Sequence, residues 1–145
     1  MRQPLSGSYR IVELIVFADA LSATLIAKED GQGLLSFNLS GDDFDAALAL
    51  AASEVEIVAC TDGEDGAHIL SHGQRWHVPA TPVQIVDATG AGDLFAGAFL
   101  WGLTNGHNLE TCGRMGCVAA SEVISHIGAR PEADLRALFQ EQGLI

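Results

Sequence analysis

Asp93 stands directly after Gly90-Ala91-Gly92 in the stretch VDATGAGDLFAGAF, residues 86–99. The pattern predicts a strand ending at Val86, a turn of tiny residues, and a helix whose first charged side chain is Asp93. Small residues let a ligand approach the backbone closely, and the first-turn N–H groups of a helix have no intrahelical partners. Such a terminus attracts a phosphate, by up to ~2 kcal/mol in a favourable, partly buried geometry. A carboxylate beside that phosphate is placed to accept the proton of an attacking hydroxyl. An aspartate of ordinary pKa is a weak base for an alcohol, but phosphoryl transfer has a loose transition state in which positioning matters more than basicity. Base assistance of this kind is worth on the order of 10²–10⁴ in rate. The plainer alternative is an aspartate that only complements a helix N-terminus, with glycines present for packing.

Two other glycine-rich devices fit less well. A dinucleotide fingerprint needs G-x-G-x-x-G/A; Gly90 and Gly92 match, but Phe95 takes the third place and no acid ends a strand about 20 residues later. A P-loop needs a lysine after its last glycine, where this chain has Asp93. An oxidoreductase domain is the function such a dinucleotide fingerprint would carry, and NADH binding would reveal it.

The elements that must position the motif follow from hydropathy and turn residues. The runs at 11–17 and 55–61 predict buried strands, and residues 19–28 predict a helix. Residues 29–43 predict a loop with a short extended piece, and 42–53 a helix with Asp42, Asp43 and Asp45 as a solvated first turn. Short strands are expected at 67–71, 75–79 and 83–87, the first two joined by a tight turn at His72-Gly73. Helices are expected over 93–105, 109–127 and 132–142, the last opened by Pro131. Residues 1–10 read as irregular. The alternation predicts one α/β domain over 1–145, with helices on a largely parallel sheet and a small antiparallel hairpin near 66–79.

Composition narrows the function. The 145 residues carry a net charge of −12 and a single lysine, Lys28. Nucleic acid and anionic membranes call for a basic surface, so neither is an expected partner, and bound phosphate must be held mainly by backbone N–H groups. Hydrophobic residues reach 48%, yet no apolar run approaches the roughly 18 residues that span a bilayer. The residues after Met1 do not form a signal peptide, so a cytoplasmic setting is expected. Cys60, Cys112 and Cys117 read as buried free thiols. His68, His72 and His77 read as polar hairpin positions rather than zinc ligands, Trp76 and Trp101 as core, and Arg114 and Arg130 as surface cations.

DATGAGDLFAGAF and the tail CGRMGCVAASEVISHIGARP, residues 112–131, resemble the C-terminal part of the PfkB, or ribokinase-like, carbohydrate and nucleoside kinases. The tail is most similar to the bacterial adenosine kinase-like branch. The resemblance implies a ribokinase-like three-layer α/β/α fold, present here as its C-terminal half. It implies that Asp93 is the catalytic base and that the amides of Gly90, Ala91, Gly92 and Asp93 form an anion hole for the transferred phosphate. TDGEDGA, residues 61–67, resembles a T-x-G-x-x-G turn, which places Thr61, Gly63 and Gly66 along the ATP phosphates and ribose. Ser125, His126, Gly128 and Ala129 would lie near the adenine; a helix C-terminal cap is the alternative for His126. Asp87 and the Thr89 carbonyl resemble ligands of a K⁺ ion, with backbone near Val123 and Gly128 completing the set. ATP and Mg²⁺ are the implied cofactors, and a sugar or nucleoside hydroxyl, adenosine-like in preference, is the implied acceptor.

The chain departs from the pattern in three ways. Ala88 replaces the usual threonine. The family's N-x-x-E motif, which organises Mg²⁺, becomes Asp19-Ala20-Leu21-Ser22, leaving Asp19 as the remaining candidate ligand. The N-terminal part that binds the acceptor is not represented, and orientation of that kind supplies ~7–11 kcal/mol of barrier reduction. The expected consequences are weak or absent transfer, an exposed apolar edge, and association with itself or with a complementing N-terminal half. A non-catalytic nucleotide-binding remnant or interaction module is the competing reading.

Overall fold

The computed structural model describes residues 9–17, 21–28, 33–38, 49, 52 and 56–145, with side chains described for 49, 52 and 56–145. Among the described residues six strands form one sheet in the order β1 (Tyr9–Phe17), β2 (Leu21–Lys28), β3 (Gly33–Asn38), β4 (Ile57–Thr61), β5 (Ala67–Ser71) and β6 (Gln74–Val78). Helices α1 (Ala91–Thr104), α2 (Leu109–Ile124) and α3 (Leu135–Glu141) follow.

The α/β class is as expected, but the sheet is not largely parallel. Among the described strands only β3 and β4 pair in parallel; β1–β2, β2–β3, β4–β5 and β5–β6 are antiparallel. Connection length explains this. A parallel pair needs a crossover of a dozen or more residues, and only the 39–56 connection is that long; the others are tight enough to force hairpins. The same constraint makes residues 21–28 a strand rather than the expected helix, because that segment pairs with β1 on one side and β3 on the other. Of the helix expected over 42–53, only Ala49 and Ala52 are described; both are helical and exposed.

The hairpin near 66–79 is present. His72 and Gly73 both take positive φ, 49° and 76°, the geometry of a two-residue turn whose twist matches its strands. Along β5, Ala67, Ile69 and Ser71 are buried while His68 and Leu70 are partly exposed, so one face carries the core. That face meets α1 and α2: Ile57, Ala59, Ile69 and Val78 pack with Phe95, Phe99, Leu103 and Cys112. Gly113 lets α2 lie close, since a Cβ there would sit 2.8 Å from Ile69 Cδ1 and 2.9 Å from Val78 Cγ2. A second cluster of Ala98, Met115, Ala119, Phe139 and Leu144 seats α3 against α1 and α2.

Caps set the helix limits. His107 N–H donates to Gly102 O and Gly106 N–H to Leu103 O, a Schellman end for α1. Asn108 Oδ1 accepts from Thr111 N at 2.8 Å to open α2. Asp134, not Pro131, opens α3: its side chain accepts from the amides of Arg136 and Ala137. The expected strand at 83–87 does not form. Val86 and Asp87 donate their N–H groups to Ile124 O at the end of α2, and Ile85 and Val86 stay 64% and 55% exposed. All three cysteines are free and buried. Trp76 packs against the core, whereas Trp101 lies at its border, over His107 and Phe139. Among the described residues, no helix is long and apolar enough to cross a membrane.

Candidate active site

The 87–93 turn is built around Asp87. Its Oδ1 accepts from Thr89 N at 3.0 Å and from Thr89 Oγ1 at 2.6 Å, and its Oδ2 accepts from Gly128 N at 3.0 Å. The Thr89 hydroxyl, then the amides of Gly128 and Thr89, hold the Asp87 carboxyl down to about 2. An aspartate charged at neutral pH thus fastens the turn to the segment after α2.

Gly90 caps α1 in the left-handed region at φ 85°. A Cβ on Gly90 would lie 2.9 Å from Ala129 Cβ and 3.1 Å from Ala129 Cα, so only glycine fits both the backbone and the space. Ala91 N–H turns back to Ala88 O at 3.4 Å, while Leu94 N–H makes the first helical bond to Gly90 O. Among the described residues, the amides of Gly92 and Asp93 have no hydrogen-bonded partner. Gly92 and Asp93 are exposed, so those donors and the Asp93 carboxylate share an open surface. An anion placed there would meet N–H donors, the positive end of a 14-residue helix and a carboxylate together.

The structure therefore brings Asp87, Thr89, Gly90, Gly128 and Ala129 into contact. Thr61, Gly63 and Gly66 stand at the end of β4 and in the turn after it, and among the described residues no hydrogen bond joins them to that group. Their turn closes through Asp62 N–H to Gly66 O at 2.8 Å. Gly66, at φ 95°, presses on the end of β6, where a Cβ would strike Val78 O, whereas Gly63 faces open space. Ser125 caps α2 and donates its Oγ to Glu122 O at 2.6 Å. Asp19 lies outside the described residues.

His126 binds a residue that the sequence reading passed over. Its Nε2 lies 3.2 Å from Glu122 Oε1, and its Nδ1 lies 3.8 Å from Glu132 Oε1. The same Glu122 Oε1 accepts from the amides of Glu132 and Ala133, each at 2.9 Å. Burial pushes the Glu122 carboxyl up, but these N–H donors outweigh it and leave it below the usual glutamate value. Burial likewise works against the charged His126, yet the Ile127 carbonyl, Glu122 and Glu132 raise its pKa. A signal was present: an acid in the last turn of a helix opposes the macrodipole, and one four residues before a histidine invites an ion pair.

The hairpin histidines make local contacts. His68 and His77 stack with centroids 4.6 Å apart, and His72 pairs with Glu56 at 3.0 Å. Among the described residues, no three of His, Cys, Asp or Glu gather as a metal cluster. Asp87 has the charge a monovalent cation requires, and its two oxygens offer about four acceptor positions, of which three are used.

The chain resembles solved kinases over most of its length. It superimposes on a probable sugar kinase from Rhizobium etli with TM-score 0.70 and 48% identity, covering 72% of this chain and 32% of that one. For adenosine kinase from Sinorhizobium meliloti the TM-score is 0.67 with 41% identity, over 70% and 32% of the two chains. For a putative ribokinase II from E. coli in complex with ATP and Mg²⁺ the TM-score is 0.63 with 25% identity, over 71% and 34%. A cytidine kinase from Thermococcus kodakarensis is 41% identical over 87 residues, 58% of this chain and 31% of that protein. A separate likeness, 61% over 44 residues, is to an S-adenosylmethionine:tRNA ribosyltransferase-isomerase from Roseobacter denitrificans; it spans 30% of this chain and 12% of that enzyme. The matched stretches span about a third of the length of these kinases. The fold is thus a partial ribokinase-like α/β domain. The model of the pfkB carbohydrate kinase family matches residues 13–135, across the sheet, the Asp87 turn and the segment after α2, and the chain belongs to that family.

Proposed function

We propose that this chain carries the phosphate-binding and catalytic part of an ATP-dependent phosphotransferase acting on a hydroxyl of a sugar or nucleoside. The observation that supports it is the exposed Asp93 carboxylate beside the amides of Gly92 and Asp93, which have no partner among the described residues, behind a left-handed Gly90. Gly90, Ala91, Gly92 and Asp93 line the place of the transferred phosphoryl group, and donors fixed there need no reorganisation as charge moves. Asp93 takes the proton of the acceptor hydroxyl. Thr61, Gly63 and Gly66 accompany the nucleotide phosphates and ribose, and Ser125, His126, Gly128 and Ala129 its base. Mg²⁺ would enter on the phosphates, with Asp19 as a further candidate ligand, and K⁺ would be held by Asp87 and the Thr89 carbonyl. The likeness to a ribokinase II bound to ATP and Mg²⁺ supports the cofactors, and that to adenosine and cytidine kinases supports a nucleoside acceptor.

The test is calorimetric titration with MgATP beside a screen for radiolabelled transfer to nucleosides and sugars. Binding with transfer that Asp93→Asn lowers by about 10²–10⁴ supports the enzyme. Asp93 is exposed, so this variant should keep the parent's melting temperature within a few degrees. A second reading, a non-catalytic nucleotide-binding remnant or an interaction module, is favoured by the altered stretch Asp19-Ala20-Leu21-Ser22 and by the 61% identity over 44 residues to an enzyme of another kind. It predicts binding without transfer to any acceptor, alone or with a complementing N-terminal half.

A further inference from the structure

We infer that Glu122 is a positioning residue for the phosphate-binding turn, acting from the far side of the segment that follows α2. Its Oε1 gathers three donors, His126 Nε2 at 3.2 Å and the amides of Glu132 and Ala133 at 2.9 Å each. Those donors bracket residues 126–133, so one carboxylate closes that stretch into a loop anchored on the last turn of α2. Within the loop, Gly128 donates its N–H to Asp87 Oδ2 at 3.0 Å, and Ala129 packs on Gly90. Asp87 then holds Thr89 by two further bonds, at 3.0 and 2.6 Å. The contacts form an unbroken series from Glu122 through the loop and Asp87 to the left-handed Gly90 that opens α1.

The glutamate suits this role because it is withdrawn from water. Its side chain is 9% exposed, its buried Oε2 has no hydrogen-bond partner among the described residues, and the three donors all meet Oε1. A second α2 contact fixes the same face: Val86 and Asp87 both donate to Ile124 O, at 2.8 and 3.3 Å. The end of α2 thereby sets where the turn begins, and Glu122 sets the loop against which it rests. That the turn binds phosphate rests on the function proposed above; that Glu122 holds it in place does not.

Amide exchange followed by NMR on the full chain separates the two. In Glu122→Ala, the Glu132, Ala133 and Gly128 amides should exchange roughly ten- to a hundredfold faster, as expected for losing hydrogen bonds to a charged group. Thr89 should follow, while Ile69 in the hairpin keeps its protection. Glu122→Gln retains a carbonyl oxygen at the Oε1 position and should restore Glu132 and Ala133 to within about threefold of the parent. If Glu122→Ala also strips Ile69, Glu122→Asp, one methylene shorter, replaces it with the same expected order. Parent-like exchange at Gly128 and Thr89 beside fast exchange at Glu132 and Ala133 would overturn the inference. MgATP titration adds a second readout, with Kd raised at least about tenfold in Glu122→Ala and rescued in Glu122→Gln. A parent chain that fails to bind MgATP refutes the proposed function, and the amide pattern still decides the role of Glu122.

Discussion

Replacing Gly90 by alanine tests how the turn is made. Two separate costs arise. Holding a residue with a Cβ at φ 85° costs roughly 1–2 kcal/mol. Placing that Cβ 2.9 Å from Ala129 Cβ, 3.1 Å from its Cα and 3.3 Å from its carbonyl oxygen adds the ~1–3 kcal/mol typical of overpacking. Together these give about 2–5 kcal/mol, a large part of the ~5–15 kcal/mol by which domains are stable. In a chain of this size the melting temperature should fall by about 4–20 °C. Far-UV circular dichroism melts and urea titrations of the parent and Gly90→Ala measure it. Ala129→Gly in the Gly90→Ala background removes the nearest atom and should return part of the contact cost, leaving the backbone cost in place. A Gly90→Ala variant within about 0.5 kcal/mol of the parent refutes the reasoning. So does a double-mutant cycle in which the two changes simply add.

Asp87 gives a pH test. A carboxyl whose folded pKa is depressed from 3.8 to about 2 contributes stability that is complete above its unfolded value and lost as pH falls through its folded value. Urea midpoints of the parent should therefore drop more steeply than those of Asp87→Asn between about pH 4 and about pH 2; parallel profiles would contradict the clamp. Burial pushes the Cys112 and Cys117 thiols up to about 12, so neither should react with a thiol reagent at ~pH 8 until the chain unfolds. Mass spectrometry of the native protein reads this directly, and rapid double labelling would place those thiols outside the core.

The turn at the proposed site was legible because it is local. A turn of tiny residues ahead of an apolar helix fixes the type of its N-terminus wherever it sits, and Asp93 emerged exposed there. The His72-Gly73 hairpin was legible for the same reason, since alternation and turn type are encoded within a dozen residues. The segments at 21–28 and 83–87 were misread because their hydropathy suits more than one state. Pairing on both edges made the first a strand, and capture of the Val86 and Asp87 amides by Ile124 O kept the second out of the sheet. Pro131 carried an honest helix-start signal, but the 132 and 133 amides went to Glu122, so α3 began only after Asp134.

Short-range spacing thus determined the glycine turn and the helix N-terminus at which the proposed site lies, because capping, turn geometry and periodicity act over a few neighbours. Sheet direction, the clamp of Asp87 on Gly128 across 41 positions, and the part played by Glu122 were decided by the tertiary structure. Those depend on which distant backbone donors reach a carboxylate, and only the packed chain brings them together.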